Sequence, residues 1–180
     1  MRSVLISIKP KWCELIANGK KTIEVRKARP KCDTPFKCYI YCTKDKGVSF
    51  WAGKRYAYAD DRSHNLFDVC GNGKVIGEFI CNKIDRLAVC GYDNRNTELR
   101  RVDDMTAYDL DYDYLNKCRL SLDNLKKYSN GSGLYGWHIS DLVVYDKPKS
   151  IKEFYHYGVR RGAKVTRPPQ SWCYCEELKE

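Results

Sequence analysis

Apolar positions along this chain fall into short runs that alternate or cluster at strand spacing. The first, Val4-Leu5-Ile6-Ser7-Ile8, predicts a strand over Val4–Lys9. Pro10 suits a first helical position because its missing N–H would go unpaired there anyway. Ile16 and Ala17 carry helical spacing, and Gly19 suits the left-handed position just past a helix end, so a helix is expected over Lys11–Asn18. A second strand follows at Lys21–Lys27 and ends where Pro30 stops ladder pairing. Strand spacing recurs over Phe36–Thr43, over Lys74–Ile84 after the turn Gly71-Asn72-Gly73, and over Gly136–Tyr145.

Helical patterns are fewer. Thr106–Leu115 carries a weak one. Leu120–Tyr128 carries a better one, with Leu122 and Leu125 on one side, Ser121 as a cap and Lys126-Lys127 at the end of its dipole. Pro148-Lys149-Ser150 opens a last helix over Ile151–Tyr157. Residues 44–72 form a polar, aromatic insertion with a short strand near Tyr56, and the tail after Gly162 is extended or irregular. Strands with helices at their ends, and no internal repeat, point to an α+β chain built on a small antiparallel or mixed barrel. A length of 180 residues predicts a single domain over 1–180, with the tail beginning at about 163.

Alternation assigns faces on the second strand. Thr22, Glu24 and Arg26 share one face; Lys21, Ile23 and Val25 share the other, with Ile23 and Val25 in the core. Glu24 and Arg26 are neighbours, either a solvated pair contributing under about 1 kcal/mol or a donor and an acceptor for a ligand. Lys21 beside them favours the ligand. Strand Gly136–Tyr145 offers Trp137 and Ile139 on one face, His138 and Ser140 on the other. Trp137 is either a core residue or a platform for base stacking, which is worth about 1–3 kcal/mol per base. His138 is structural or a proton-transfer group. Trp12 rims a cleft or staples its helix.

Two blocks resemble the ASCH domain, a branch of the PUA-like β-barrel superfamily. One is Ile6-Ser7-Ile8-Lys9-Pro10 with Ile16 and Gly19-x-Lys21-Thr22-Ile23-Glu24-x-Arg26. The other is Tyr135-Gly136-Trp137-His138-Ile139-Ser140-Asp141-Leu142 with Tyr145-Asp146-Lys147-Pro148. The tail Arg167-Pro168-Pro169-Gln170-Ser171-Trp172-Cys173 is similar to the endings of phage and prophage members. The resemblance implies a PUA-like barrel flanked by short helices, with Lys21, Glu24 and Arg26 lining a cleft. Some compact ASCH proteins are similar to amidohydrolases that deacylate N4-acylated cytidine with a Lys, a Thr and a Glu. Lys21 matches the lysine, Glu24 stands where the threonine would, and Glu78 and Glu98 are candidates for the glutamate. Nuclease action by the same cleft residues is a related possibility. A Lys21–Glu24 acid–base couple is the form catalysis would take.

Charge narrows the partners. The net charge is +10, and residues 1–60 hold 14 Lys and Arg against 5 Asp and Glu. A basic face favours polyanions, since each phosphate neutralised releases a condensed counterion. The expected ligand is RNA, another single-stranded nucleic acid or a modified nucleoside. Its contacts would come from Lys9, Trp12, Lys21, Glu24, Arg26, Trp137, His138, Ser140 and Arg167. Arg167 either grips phosphate or belongs to a tail that straps a sheet edge. Phe50, Trp51, Tyr56 and Tyr58, beside Lys54 and Arg55, have the aromatic-basic mix of single-strand binders, or form a satellite cluster under a loop. A phage accessory protein that binds a host protein is a further alternative.

Ten cysteines occur without a C-x-x-C pair, and His64, His138 and His156 are scattered, so no metal and no cofactor is expected. With no leader in view, free thiols and a cytoplasmic location are the default; Cys38, Cys81 and Cys90 are read as small buried hydrophobes. No run of eighteen apolar residues implies a membrane span.

Overall fold

A computed structural model describes residues 1–52, 69–91, 98–104, 106–159 and 162–178. The chain divides into two compact units. One comprises Met1–Ala17, Lys37–Phe79 and Asp141–Glu180; the other comprises Asn18–Phe36 and Ile80–Ser140.

In the first unit, β1 (Arg2–Ile8) leads through Lys9 into α1 (Pro10–Ala17), and β3 (Phe36–Cys42) pairs with β1 in parallel, Val4 opposite Cys38 and Ile8 opposite Cys42. The strand missing from this order is β2 (Ile23–Arg26), which belongs to the second unit. β4 (Trp51–Ala52) and β5 (Val69–Cys70) make a separate two-stranded sheet inside the insertion. The aromatic-basic residues Lys54, Arg55, Tyr56 and Tyr58, with the short strand expected there, lie outside the described residues.

Asn72 fixes the neck of that insertion. Its Oδ1 accepts from Phe50 N at 2.9 Å and its Nδ2 donates to Val48 O at 2.8 Å. Phe50 is buried against Gly71, where a β-carbon would stand 2.7 Å from Phe50 and Ile76. Only a residue without that carbon lets the ring pack there. The core of this unit joins Leu5, Tyr39, Tyr41, Val75, Ile151, Phe154, Val165 and Cys175.

The helix expected over Ile151–Tyr157 is one 3-10 turn, Ile151–Glu153, closed by a capping box between Ser150 and Glu153. Beyond it the backbone is drawn out straight, because Tyr155 bridges Lys164 and His156 bridges Cys175. The tail, expected to be irregular, contains a strand, β10 (Trp172–Glu176), antiparallel to β1. Ser7 reinforces this edge: its N–H donates to Ser171 O at 2.9 Å and its hydroxyl to Pro169 O at 2.6 Å. The tail is thus a strap on the β1 edge.

β6 (Lys74–Cys90) and β9 (Leu134–Lys149) begin in one unit and end in the other. Both run further than the sequence pattern predicts. In the second unit β6 pairs with β7 (Glu98–Asp103), and β7 with β8 (Thr106–Tyr108). Thr106–Tyr108 is therefore strand rather than helix. The helix starts only at α2 (Tyr112–Cys118), where the Asp111 carboxylate caps the N–H of Tyr114 at 2.8 Å. α3 (Leu122–Ser129) begins at the expected cap, Ser121, and ends with Lys126 and Lys127.

The eight strands of the main sheet mix parallel and antiparallel pairs, and among the described residues no pair closes the path into a ring. The chain is α+β, with a mixed main sheet. Among the described residues no helix is long and apolar enough to cross a membrane.

Candidate functional site

β2 and β9 carry the site. They pair antiparallel with Ile23 opposite His138, Glu24 opposite Trp137 and Arg26 opposite Tyr135. Residues directly opposite one another share a face. Ile23 and Val25 turn into a core with Leu87, Leu99, Tyr114, Cys118, Leu125 and Leu134, as alternation predicts.

The charged residues of β2 are not solvated. The side chains of Lys21, Glu24 and Arg26 are 2%, 8% and 12% exposed. Glu24 is clamped, with Oε2 3.4 Å from Lys21 Nζ and Oε1 3.0 Å from Arg26 Nη2. Lys21 also donates to Ile23 O at 2.9 Å and to Cys118 O at 2.6 Å. Cys118 is the last residue of α2, so the ammonium meets carbonyls at the negative end of a helix. Thr22 N–H donates to Lys117 O at 3.1 Å, and Arg119 Nε to Lys20 O at 2.6 Å, which ties the turn before β2 to that helix end. Isolated, a buried charge costs several kcal/mol; here each has a partner.

A second polar pair comes from β6 and β9. Asp85 Oδ2 lies 2.6 Å from His138 Nε2, and its Oδ1 lies 3.0 Å from Lys83 Nζ. Asp85 is buried, whereas His138 is 29% exposed. Burial alone would raise the Asp85 pKa, but the hydrogen bonds from His138 and Lys83 outweigh it and hold the carboxyl at about 2. Tyr114 stands beside it: burial, with the Cys118 and Asp85 charges adding to it, pushes its phenol far up. Cys118 joins the two pairs. Its thiol is raised to about 12, first by burial, with Lys21 opposing and Glu24 and Asp85 adding to the rise.

The expected contact residues fare differently. Lys21, Glu24 and Arg26 come together, and His138 lies on the neighbouring strand. Trp137 is fully buried, edge-on to Phe36 with centroids 5.9 Å apart, so it has no face to offer a base. Ser140 points its hydroxyl at Ile80 O, 3.0 Å away. Lys9, Trp12 and Arg167 belong to the other unit. There Lys9 is exposed and its carbonyl starts α1, Trp12 lies under the Lys11 ammonium at 5.1 Å, and Arg167 is exposed.

Glu78 is taken up by Lys37 at 3.1 Å and by the Tyr145 hydroxyl, and Glu98 by Arg100 at 2.9 Å. Neither completes a Lys21–Glu24 triad. Of the cysteines read as buried, Cys38 and Cys81 are buried and Cys90 only partly so. Among the described residues no His, Cys, Asp and Glu cluster has metal-site geometry. Asp85 escaped the sequence reading because its partner lies 53 residues away; the one hint was a carboxylate inside an apolar strand pattern, between Ile84 and Leu87.

Comparison with known proteins gives one consistent picture. The ASCH domain family matches residues 6–85. The chain is similar to the crystal structure of ASCH from Zymomonas mobilis, at 20% identity and a TM-score of 0.55, covering 96% of this chain and 86% of that one. It is similar also to a tyrosine-to-phenylalanine and a serine-to-alanine mutant of that protein, each at 19% identity and TM-score 0.55, covering 96% of this chain and 88% and 87% of theirs. No curated protein matches it. Likeness at this identity speaks for the fold. The chain is thus similar to the ASCH domain family over residues 6–85 and shares its fold with the Zymomonas mobilis ASCH structures.

Proposed function

We propose that this chain binds RNA or another single-stranded nucleic acid, reading one nucleotide beside the Lys21–Glu24–Arg26 array. The observation that carries this reading is the clamped Glu24 carboxylate, held between Lys21 and Arg26. Fixed donors and acceptors lose little freedom on binding, which is what recognition of a base edge needs.

The surroundings of Arg26 fit a polyanion. Lys27 Nζ lies 5.3 Å from the ring centre of Tyr128, an exposed aromatic at the end of α3. Burial raises the Tyr128 phenol pKa, with Arg26 opposing and Glu24 adding to the rise. Lys126 and Lys127 are exposed next to it in the chain. Tyr128 offers a ring to a base, and the lysines offer charge to phosphates.

The test is anisotropy of a fluorescein-labelled oligouridylate. Replacing Lys27, Lys126 and Lys127 together by alanine removes only exposed charge. It is expected to weaken binding and to lower its salt slope by about 2, three phosphate contacts at about 0.7 each. Unchanged affinity and slope in that variant would remove this surface from the interface.

One observation favours a second reading, hydrolysis of an N4-acylated cytidine. Asp85 orients His138, whose ring is partly exposed, as a carboxylate orients an imidazole for proton transfer. Incubation with N4-acetylcytidine decides it: turnover lost in His138→Ala supports an enzyme, and tight binding without product supports the binding module.

A further inference from the structure

Three asparagines in the chain stand directly before glycine: Asn18-Gly19, Asn72-Gly73 and Asn130-Gly131. Such a pair is chemically weak. A glycine nitrogen is not shielded by a side chain, so it can attack the amide carbon of the asparagine before it and expel ammonia. The attack needs a free amide, a free nitrogen and a backbone that brings the two together. The three pairs are alike in sequence, and the fold separates them.

Asn72 is locked. Its Oδ1 accepts from Phe50 N at 2.9 Å and its Nδ2 donates to Val48 O at 2.8 Å. The Gly73 N–H is also engaged, donating to Cys42 O at 2.8 Å, and a β-carbon at Gly73 would stand 2.9 Å from the Lys44 side chain. Asn130 is exposed, and a β-carbon at Gly131 would meet nothing within 4 Å. Its backbone protects it instead. As C-cap of α3 it holds φ 48 and ψ 47. At that ψ the Gly131 nitrogen and the Asn130 β-carbon lie on opposite sides of the Cα–C bond, out of each other's reach.

Asn18 has neither protection. Asn18 and Gly19 are both exposed just past α1. Among the described residues neither the Asn18 amide nor the Gly19 N–H makes a hydrogen bond. Asn18 is not among the residues held in the left-handed region, and a β-carbon at Gly19 would meet nothing within 4 Å.

We infer that Asn18 is a site of spontaneous deamidation, with water as the only co-reactant. The Gly19 N–H gives its proton to hydroxide and the nitrogen bonds to Asn18 Cγ. The Cγ–Nδ2 bond breaks, and ammonia leaves with a proton taken from water, closing a cyclic imide. Water then adds to one of the imide carbonyls and reopens the ring. Opening on one side leaves aspartate; opening on the other leaves isoaspartate, with the main chain running through Cγ. Nothing is oxidised or reduced. Either product sets a carboxylate at the C-terminal end of α1, where the helix dipole disfavours it. It also stands two residues before Lys20, whose carbonyl accepts from Arg119 Nε at 2.6 Å.

The test holds the intact folded chain, with reductant, in mildly alkaline buffer at body temperature and follows the three sites by peptide mapping. Asn18 should convert about tenfold faster than Asn72, whose two amide hydrogen bonds must open first, and faster than Asn130. In chain unfolded by urea the three should convert alike. On isoelectric focusing an acidic band should grow with time. Asn18→Ser should remove most of it, and Asn130→Gly, which keeps the left-handed backbone, should leave it; circular dichroism checks that both variants fold. Asn18 converting no faster than Asn72 or Asn130 in the folded chain overturns the assignment. So does an acidic band undiminished in folded Asn18→Ser. The same order of rates persisting in urea overturns it too, because neighbouring residues rather than the fold would then set that order.

Discussion

Gly136 on β9 lies directly beneath the hydroxyl of Tyr114, and any β-carbon at that position would overlap the phenol oxygen. The same carbon would press on Ile23 at 3.1 Å. A single missing methyl group therefore lets α2 settle onto the β2–β9 pair and carry the Cys118 carbonyl to Lys21. Gly136→Ala should cost about 3 kcal/mol through overpacking and lower the melting temperature. A variant as stable as the parent would show that α2 seats itself by other contacts.

Strong acid should weaken the fold through Asp85. Its carboxyl sits at about 2 in the fold against 3.8 ordinarily. A depressed carboxyl stabilises the fold above its unfolded pKa, and the contribution fades as pH falls from about 4 toward 2. The parent should therefore lose stability across that window. Asp85→Asn should be less stable at pH 7 by about 2 kcal/mol, and its melting temperature should change less between pH 4 and 2. Parallel pH curves for the two proteins would contradict the assignment.

Glu24 holds two cations at once. Glu24→Gln should destabilise by about 3 kcal/mol, because Lys21 and Arg26 then lose the charge they face away from water. Chemical denaturation measures it. A neutral effect would mean that Lys21 relies on its two carbonyl partners alone.

Buried thiols should be slow to alkylate. Burial raises Cys81 and Cys118 to about 12 and Cys173 to about 11, so little thiolate exists at pH 8. Iodoacetamide should label these three only after denaturation, as read by mass spectrometry. Rapid labelling of Cys118 in the folded protein would contradict the closed packing under α2.

The elements legible in the sequence are those whose own residues carry the pattern. β1, β3 and the start of α3 follow from apolar runs and from Ser121 as cap. β7 was not legible, because Glu98, Arg100, Arg101 and Asp103 hide the buried Leu99. β10 was masked by the prolines before it, although Trp172-Cys173-Tyr174-Cys175 is a strand composition. β6 seemed to end at Ile84 because Asp85 and Arg86 resemble solvent residues. Asp85 instead turns inward to His138, and Leu87 behind it is fully buried. The site divides in the same way. Lys21, Glu24 and Arg26 are close in the chain and were visible together. The Cys118 carbonyl, 97 residues from Lys21, was not. Trp137 reads in sequence as either a core residue or a stacking platform, and the buried contact with Phe36 decides for the core.

The most direct measurement is the affinity of the intact chain for oligouridylate between about 50 and 200 mM salt. Binding that falls steeply, along a straight line in log K against log salt, is predicted, because phosphates would supply most of the attraction. Affinity that stays level across that range, or no measurable binding at its low end, would contradict a nucleic-acid ligand.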